Sequence, residues 1–338
     1  MTNLARSITR PMHLHRFAES RFAKLRFGKS FFFIGIYAYQ LAFFSTSKSR
    51  LSTMSLIESD PRLPTDCQYM LDALTEEEKE TAAKSSHRYF TSGDNRDKHV
   101  LATARRHWIA ENGNRDKALL KMKATIQYRQ DVHIDEIRRC FYERDNPDLH
   151  VYRQGLSNHL QTKKTVVRGF DKEGRPLYCV YPRLEMHEGW DAEWYPTTYC
   201  AYMLERAIAI AETKNEDKVT VVFDYTGFTL RNSPTSSHVG KFIHQFQNHY
   251  PERAHTIYIV NAPVVFRFFW ALVRPFIDSV TRKKINFVTG NQQIQATFEA
   301  IVDVEDAQPF MLPAGKRTKE VDMDRFLHDI PFHEGYDE

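Results

Sequence analysis

Between residues 254 and 288 two short apolar runs flank a stretch in which hydrophobic side chains crowd almost every position. His255–Ile257 and Tyr258, Ile259 and Val260 form the first run, which reads as a β-strand. Asn261-Ala262-Pro263 then stops the strand and opens a helix, because proline suits the first helical turn. On that helix Val264, Val265, Phe266, Phe268, Phe269, Trp270, Leu272 and Val273 occupy too much of the circumference for one core-facing stripe. Such an element must be covered on nearly all sides or spend time against something oily that is not protein. A lid over an apolar cavity meets both conditions. A basic run, Arg282–Lys284, precedes the second strand.

The pattern upstream places that stretch in a larger unit. Lys218–Asp224 is an apolar strand without alternation, as expected for one buried on both faces of a sheet. Val166-Val167-Arg168 and Leu177–Tyr181 read as two strands joined by the loop Asp171–Gly174. A long helix from about Trp194 to Thr213 carries Tyr199, Met203, Ala207 and Ile210 along one face, and Pro234 opens another that ends near Tyr250. This alternation of strands and helices predicts an α/β domain with a largely parallel sheet.

Earlier still, Thr75-Glu76-Glu77-Glu78 is a capping box that starts a helix reaching about Phe90. Asn-Arg-Asp-Lys occurs at 95–98 and again at 114–117, which reads as two helix entries with Asn at the cap and Asp in the first turn. Ala118, Leu119, Met122, Ile126 and Arg129 follow helical spacing, so 75–140 forms a small helical unit. Signals weaken after residue 300, and 315–325 reads as a closing tail. The expected divisions are 1–60, a targeting or disordered segment; 61–145, the helical module; 146–313, the α/β domain; and 314–338, the tail.

Composition changes this picture in two places. The net charge of +4 is concentrated at the start: residues 1–50 carry nine Lys/Arg against one acidic residue, a charge of +8 that leaves the other 288 residues at −4. The folded part is therefore slightly acidic, which argues against a nucleic-acid partner. The apolar run Phe31–Phe44 is short of the ~20 residues that span a bilayer. Two readings of 1–50 stay open: an organelle or secretory targeting segment, or a translation start at Met54. Cys67, Cys140, Cys179 and Cys200 show no CxxC and no metal-type spacing, which reads as buried reduced thiols. No GxSxG, GxGxxG, P-loop or HExxH occurs, so neither a catalytic residue nor a metal ligand stands out.

The ordered series Tyr250-Pro251-Glu252-Arg253, Asn261-Ala262-Pro263, Phe266, Trp270, Pro275-Phe276-Ile277-Asp278, Thr281 and Lys284-Ile285 resembles the Sec14-like (CRAL-TRIO) lipid-binding and lipid-transfer proteins. The resemblance extends back through Asp171–Pro176 and Asp224–Gly227, and more weakly to about residue 75. It implies an α/β fold whose mostly parallel sheet floors an apolar lipid cavity closed by a gate helix, with a small all-helical module in front. One departure lies in that module: Ile109 and Glu111 stand where many members carry a pair of arginines.

By the same resemblance Glu252, Thr281 and Lys284, with Arg253 as a helper, hold an inositol phosphate headgroup, while some of Phe266, Phe268, Phe269, Trp270 and Phe276 contact acyl chains when the gate is closed and the bilayer when it is open. These residue types suit such a ligand, because a lysine offers a point positive charge to phosphate, a threonine hydroxyl donates, and a carboxylate accepts from inositol hydroxyls. A plainer reading is that Glu252 and Lys284 are surface charges or pair with each other. Family members that also take phosphatidylcholine place hydroxyl residues where this chain has Val219 and Val221, which disfavours that lipid.

The resulting expectation is a non-enzymatic monomer, cytoplasmic and transiently peripheral at membranes, with no cofactor other than a bound phospholipid. Its ligand would be phosphatidylinositol or a related phospholipid, transferred between membranes or presented to lipid-modifying enzymes. The alternatives are a carrier of a retinoid, tocopherol or sterol, and a lipid-sensing module without transfer activity.

Overall fold

The computed structural model describes residues 63–185, 198–232, 236–264, 266, 283–318 and 321–328. Among the described residues seven α-helices precede the sheet: α1 (Leu63–Asp72), α2 (Glu76–Ala83), α3 (His87–Ser92), α4 (Arg96–Ala110), α5 (Arg115–Asp131), α6 (Ile134–Arg139) and α7 (His150–Gln161). The capping box at α2 forms as read, with Thr75 Oγ1 accepting from Glu78 N–H and the Glu78 carboxylate accepting from Thr75 N–H. The single helix expected to reach Phe90 is instead two, broken at Lys84–Ser86. The break has a polar cause: Ser85 Oγ bonds Thr103 at 2.6 Å, and Ser86 Oγ donates to Glu212 at 3.0 Å. The two Asn-Arg-Asp-Lys entries also differ. Asn114 caps α5 through Lys117 N–H, whereas Asn95 adopts φ 52° and makes no side-chain cap.

Met70, Ala83, Val100, Ala104, Ala118 and Met122 close the core of this module, separately from the main core. The α/β part follows as β1 (Thr165–Phe170), β2 (Pro176–Val180), α8 (Cys200–Thr213), β3 (Val219–Asp224), α9 (Ser236–His249), β4 (Ala254–Val260), β5 (Ile285–Val288), α10 (Asn291–Ile301) and α11 (Met323–His328). The strands lie in the order β1-β2-β3-β4-β5. The β1–β2 hairpin is antiparallel and the other three ladders are parallel, so the mixed α/β architecture is as expected. Asp171 organises the hairpin loop rather than facing a ligand. It accepts from Glu173 N–H, Arg175 N–H, Arg175 Nε and the Thr220 hydroxyl.

Strand periodicity sorts the side chains onto two faces. Val219, Val221 and Phe223 of β3 face α8 and α9, and register carries that front face to Tyr178, Ile257, Ile259 and Phe287. The back face is closed by α10 and the segment after it. Phe298 meets Tyr258 with ring centroids 5.5 Å apart, and Gln308 donates to Cys179 Sγ at 3.1 Å. Gly169 is required there: at φ 74°, a Cβ on it would lie 2.2 Å from the Asp306 carbonyl oxygen. The stretch read as a tail returns to the core, where Val321, Phe326 and Leu327 are buried. All four cysteines are buried free thiols.

A buried polar joint ties the helical module to the α/β part. Glu205 Oε1 on α8 accepts from Arg129 Nη1 at 2.7 Å and from the Tyr250 hydroxyl at 3.0 Å, and Oε2 lies 3.3 Å from Arg138 Nε. Burial alone would raise the Glu205 carboxyl, but Arg129 and Arg138 override it and hold the carboxyl down at about 2.

Candidate functional site

Three parallel strands lie side by side, and each is preceded at its N-terminal end by a charged residue: Lys218 before β3, Glu252-Arg253 before β4, Lys284 before β5. Parallel pairing brings those ends together although 66 positions separate Lys218 from Lys284 in sequence. The Glu252 carboxylate lies 3.6 Å from Lys218 Nζ and 3.5 Å from Lys284 Nζ. Of the two sequence readings, pairing holds and surface location does not, because the Glu252 side chain is only 3% exposed.

Local structure puts Glu252 there. Pro251 cannot extend α9, since its ring would clash with the preceding helical turn. Glu252 then reverses the chain at φ 59°, the left-handed region that a non-glycine residue enters at a cost of about 1–2 kcal/mol. Arg253 O then accepts from Val219 N–H at 2.8 Å, joining β4 to β3. A strained, buried carboxylate of this kind persists where its surroundings hold it. Among the described residues neither carboxylate oxygen has a hydrogen-bond donor, so its acceptor capacity is unspent.

Arg253 points the other way. Its guanidinium donates to the Asp217 carbonyl at 2.9 Å and the Ser85 carbonyl at 3.3 Å, linking this edge of the sheet to the helical module. It also lines a small apolar pocket on the front face with Tyr178, Leu204, Val219, Val221, Phe223, Phe246, Tyr250 and Ala254. The space within it is about that of one water molecule. Val219 and Val221 present only methyl groups to it, so this face offers no hydroxyl at those two positions.

At the opposite end of β4 the chain leaves the sheet through Asn261 (φ 50°), whose Nδ2 donates to Thr226 Oγ1 at 2.9 Å. Phe266 packs on the front face against Tyr225 and Phe287, with centroids 5.4 and 5.9 Å away. Val264 beside it is 68% exposed. The chain thus exits at the C-terminal end of β4 and re-enters at the N-terminal end of β5, next to Glu252. Phe268, Phe269, Trp270, Phe276 and Thr281 lie outside the described residues. Among the described residues no cluster of three or more His, Cys, Asp or Glu is placed to hold a metal, and no helix is long and apolar enough to cross a membrane.

This sheet order, with its back-face helix and its charged edge, falls in the stretch that matches a known domain: residues 160–307 fit the CRAL/TRIO domain family. The chain carries a CRAL/TRIO domain. Its sequence relatives include phosphatidylinositol transfer protein CSR1 of Eremothecium gossypii, 33% identical over 135 residues, which are 40% of this chain and 30% of that protein. Phosphatidylinositol/phosphatidylcholine transfer protein SFH7 of Arabidopsis thaliana is 26% identical over 57% of this chain and 35% of its own length. Phosphatidylinositol transfer protein PDR17 of Saccharomyces cerevisiae is 25% identical over 54% of this chain and 50% of its own. The match therefore spans about a third to a half of these relatives. A solved structure titled crystal structure of Sfh5 aligns with a TM-score of 0.49 and 16% identity, covering 71% of this chain and 84% of that one.

Sequence reasoning singled out Glu252 and Lys284 and passed over Lys218. The signal for it was available: a charged residue stands immediately before each of three consecutive parallel strands. Recognising it required knowing that β3, β4 and β5 are spatial neighbours.

Proposed function

We propose that this CRAL/TRIO domain binds one molecule of phosphatidylinositol and carries it between membranes or presents it to a lipid-modifying enzyme. The headgroup would sit at the N-terminal edge of β3–β5, and the acyl chains over the apolar front face, beneath the segment that Phe266 begins. The observation that carries this reading is the buried Glu252 carboxylate between Lys218 and Lys284, with no hydrogen bond to either oxygen among the described residues. An ammonium group offers a point positive charge to a phosphodiester, while the carboxylate accepts from inositol hydroxyls. The names of the relatives from three organisms point to the same lipid class. Binding and release break no covalent bond, so the reading is of a carrier rather than an enzyme.

On this reading Thr281 completes the headgroup site, and Phe268, Phe269, Trp270 and Phe276 join Phe266 as the gate. Large apolar side chains yield roughly 1.5–3 kcal/mol each when buried, so two or three of them moving into a bilayer offset much of the cost of opening. Membrane contact is then transient and peripheral.

The test is Lys284→Ala in the full chain, assayed for phosphatidylinositol transfer between donor and acceptor vesicles. Transfer should fall by at least about tenfold, since loss of a charge-assisted contact to phosphate costs roughly 1.5–3 kcal/mol. The thermal midpoint should stay close to that of the parent, because Glu252 keeps Lys218. Transfer at the parental rate would remove the headgroup assignment. Mass spectrometry of lipid co-purified with the protein identifies the ligand independently; a retinoid, tocopherol or sterol there would replace the phospholipid reading.

A further inference from the structure

Arg253 fastens the turn that carries Glu252 to two separate parts of the molecule. Its carbonyl accepts from Val219 N–H at 2.8 Å, and its guanidinium donates to the Asp217 carbonyl at 2.9 Å and the Ser85 carbonyl at 3.3 Å. The first two contacts tie the turn to the base of β3, and the third ties it to the helical module. We propose that Arg253 is a positioning residue for Glu252, held in its turn by the break between α2 and α3, so that the helical module is part of the headgroup site.

This inference rests on the headgroup reading above and gives the helix break a role in it. In an unbroken helix the Lys84 and Ser85 carbonyls would accept from the N–H groups four residues on, at Arg88 and Tyr89. Here Arg88 N–H donates instead to the Glu212 carboxylate at 2.9 Å, and the Ser86 hydroxyl donates to the same oxygen at 3.0 Å. Both freed carbonyls are taken from outside the helix: Lys84 O by Arg138 Nη1 at 2.5 Å, and Ser85 O by Arg253. Ser85 is itself fixed, because its hydroxyl bonds Thr103 and accepts from Arg106 Nη2 at 3.3 Å. Glu212 on α8 therefore holds the break open, and the break presents the carbonyl that Arg253 needs.

The site requires this support. Glu252 sits at φ 59°, a conformation kept only while its surroundings hold it, and neither carboxylate oxygen is fixed by a hydrogen bond among the described residues. A contact to ring hydroxyls demands placement to within about 0.5 Å. Arginine suits the task because its planar fork reaches two carbonyls at once. Since both of those acceptors are backbone oxygens, the guanidinium steadies the turn without engaging the carboxylate it positions.

The experiment measures the affinity of the full chain for labelled phosphatidylinositol, supplied in phosphatidylcholine vesicles, across a double-variant cycle. Arg253→Met should bind about tenfold more weakly, the cost of misplacing one charge-assisted contact. Arg253→Lys should recover part of that loss, since one ammonium can still donate to a carbonyl. Glu212→Leu, which removes the acceptor that holds the break open, should also weaken binding. In Glu252→Ala, already weak, adding Arg253→Met should cause no further loss, because no carboxylate is left to position. A merely structural contribution, or direct contact between Arg253 and the lipid, would instead lower binding in both backgrounds. If Arg253→Met does not fold, Arg253→Lys and Glu212→Leu run the same cycle against Glu252→Ala. Parental binding by Arg253→Met or by Glu212→Leu, or a further loss when either joins Glu252→Ala, would each overturn the proposal. Glu252→Ala alone separates the levels: parental binding there removes the headgroup reading itself, whereas weak binding there beside parental binding in Arg253→Met removes only the role of Arg253.

Discussion

Two buried glutamates, each held between two basic side chains, mark two regions of this molecule with opposite character. Glu205, at the joint with the helical module, is 2% exposed and its Oε1 takes hydrogen bonds from Arg129 and the Tyr250 hydroxyl. Glu252, at the edge of the sheet, is 3% exposed and takes none among the described residues. Burial and neighbouring charge are nearly the same in the two places. What differs is hydrogen bonding, and that decides what each can do. A carboxylate gripped by an arginine and a tyrosine is a rivet, since the oxygen it would offer a ligand is already engaged. One without such bonds, bracketed by flexible lysines, costs stability in the empty protein but is ready for a polyol and a phosphate.

The comparison breaks most visibly through Glu205. Glu205→Leu leaves Arg129 and Arg138 with the more distant Asp135 carboxylate, 3.7 and 3.8 Å away, in place of their buried partner, so the protein should lose about 3 kcal/mol in urea unfolding. Arg129 and Arg138 are 5% and 4% exposed and have little room to reach solvent.

Acid sharpens the same contrast. The Glu205 carboxyl is held at about 2 in the folded protein against an ordinary 4.5. Its contribution is therefore complete above pH 4.5 and is lost as pH falls toward 2, amounting to roughly 3 kcal/mol. Burial holds His107 down to about 4 and His249 down to about 3, against an ordinary 6.5. These remain neutral when folded while the unfolded chain protonates, so stability begins to fall below pH 6.5. Urea titrations across pH should show two windows, the upper from the histidines and the lower from Glu205. In Glu205→Gln the lower window should flatten and the upper one persist.

Much of this was legible in the sequence, and the failures are local. The apolar run at 218–224 named β3 because a strand covered on both faces shows no alternation, and it is buried throughout. The capping box fixed the start of α2, since its two hydrogen bonds depend only on residues 75 and 78. The break after Ala83 was hidden, because Ser85 and Ser86 serve partners 18 and 126 residues away. Phe326 gave no periodic signal from a six-residue helix, yet it is buried and sits under the Arg206 guanidinium. In the site, Glu252 and Lys284 were readable as residue types in an ordered motif. Lys218 and the burial of Glu252 follow from which strands adjoin, information that no single stretch of sequence contains.

Arg253 connects the two regions and gives a smaller effect. Arg253→Met removes the donor shared by the Asp217 and Ser85 carbonyls while keeping the apolar stem, so the loss should be about 1–3 kcal/mol. If its role is to hold the edge of the sheet to the helical module, hydrogen exchange should accelerate around Ser85 and Asp217 more than around Glu205. Equal acceleration at Glu205 would mean that the joint and the edge respond as one unit, and the distinction between them would be lost.

The smallest effect on stability is expected at Glu252 itself. Glu252→Gln forfeits no hydrogen bond seen among the described residues and removes a buried charge. Lys218 and Lys284, long flexible side chains with 8% and 16% exposure, can extend toward water once released. The net cost should be about 1 kcal/mol, well below that of Glu205→Gln measured alongside it. Glu252→Gly separates charge from backbone, since it also relieves the φ 59° conformation and should offset part of that cost. Both variants should nonetheless lose phosphatidylinositol transfer, because the acceptor for the ring hydroxyls is weakened in one and absent in the other. A Glu252→Gln protein destabilised as much as Glu205→Gln would make this carboxylate a second rivet, and the reason for placing a ligand beside it would disappear.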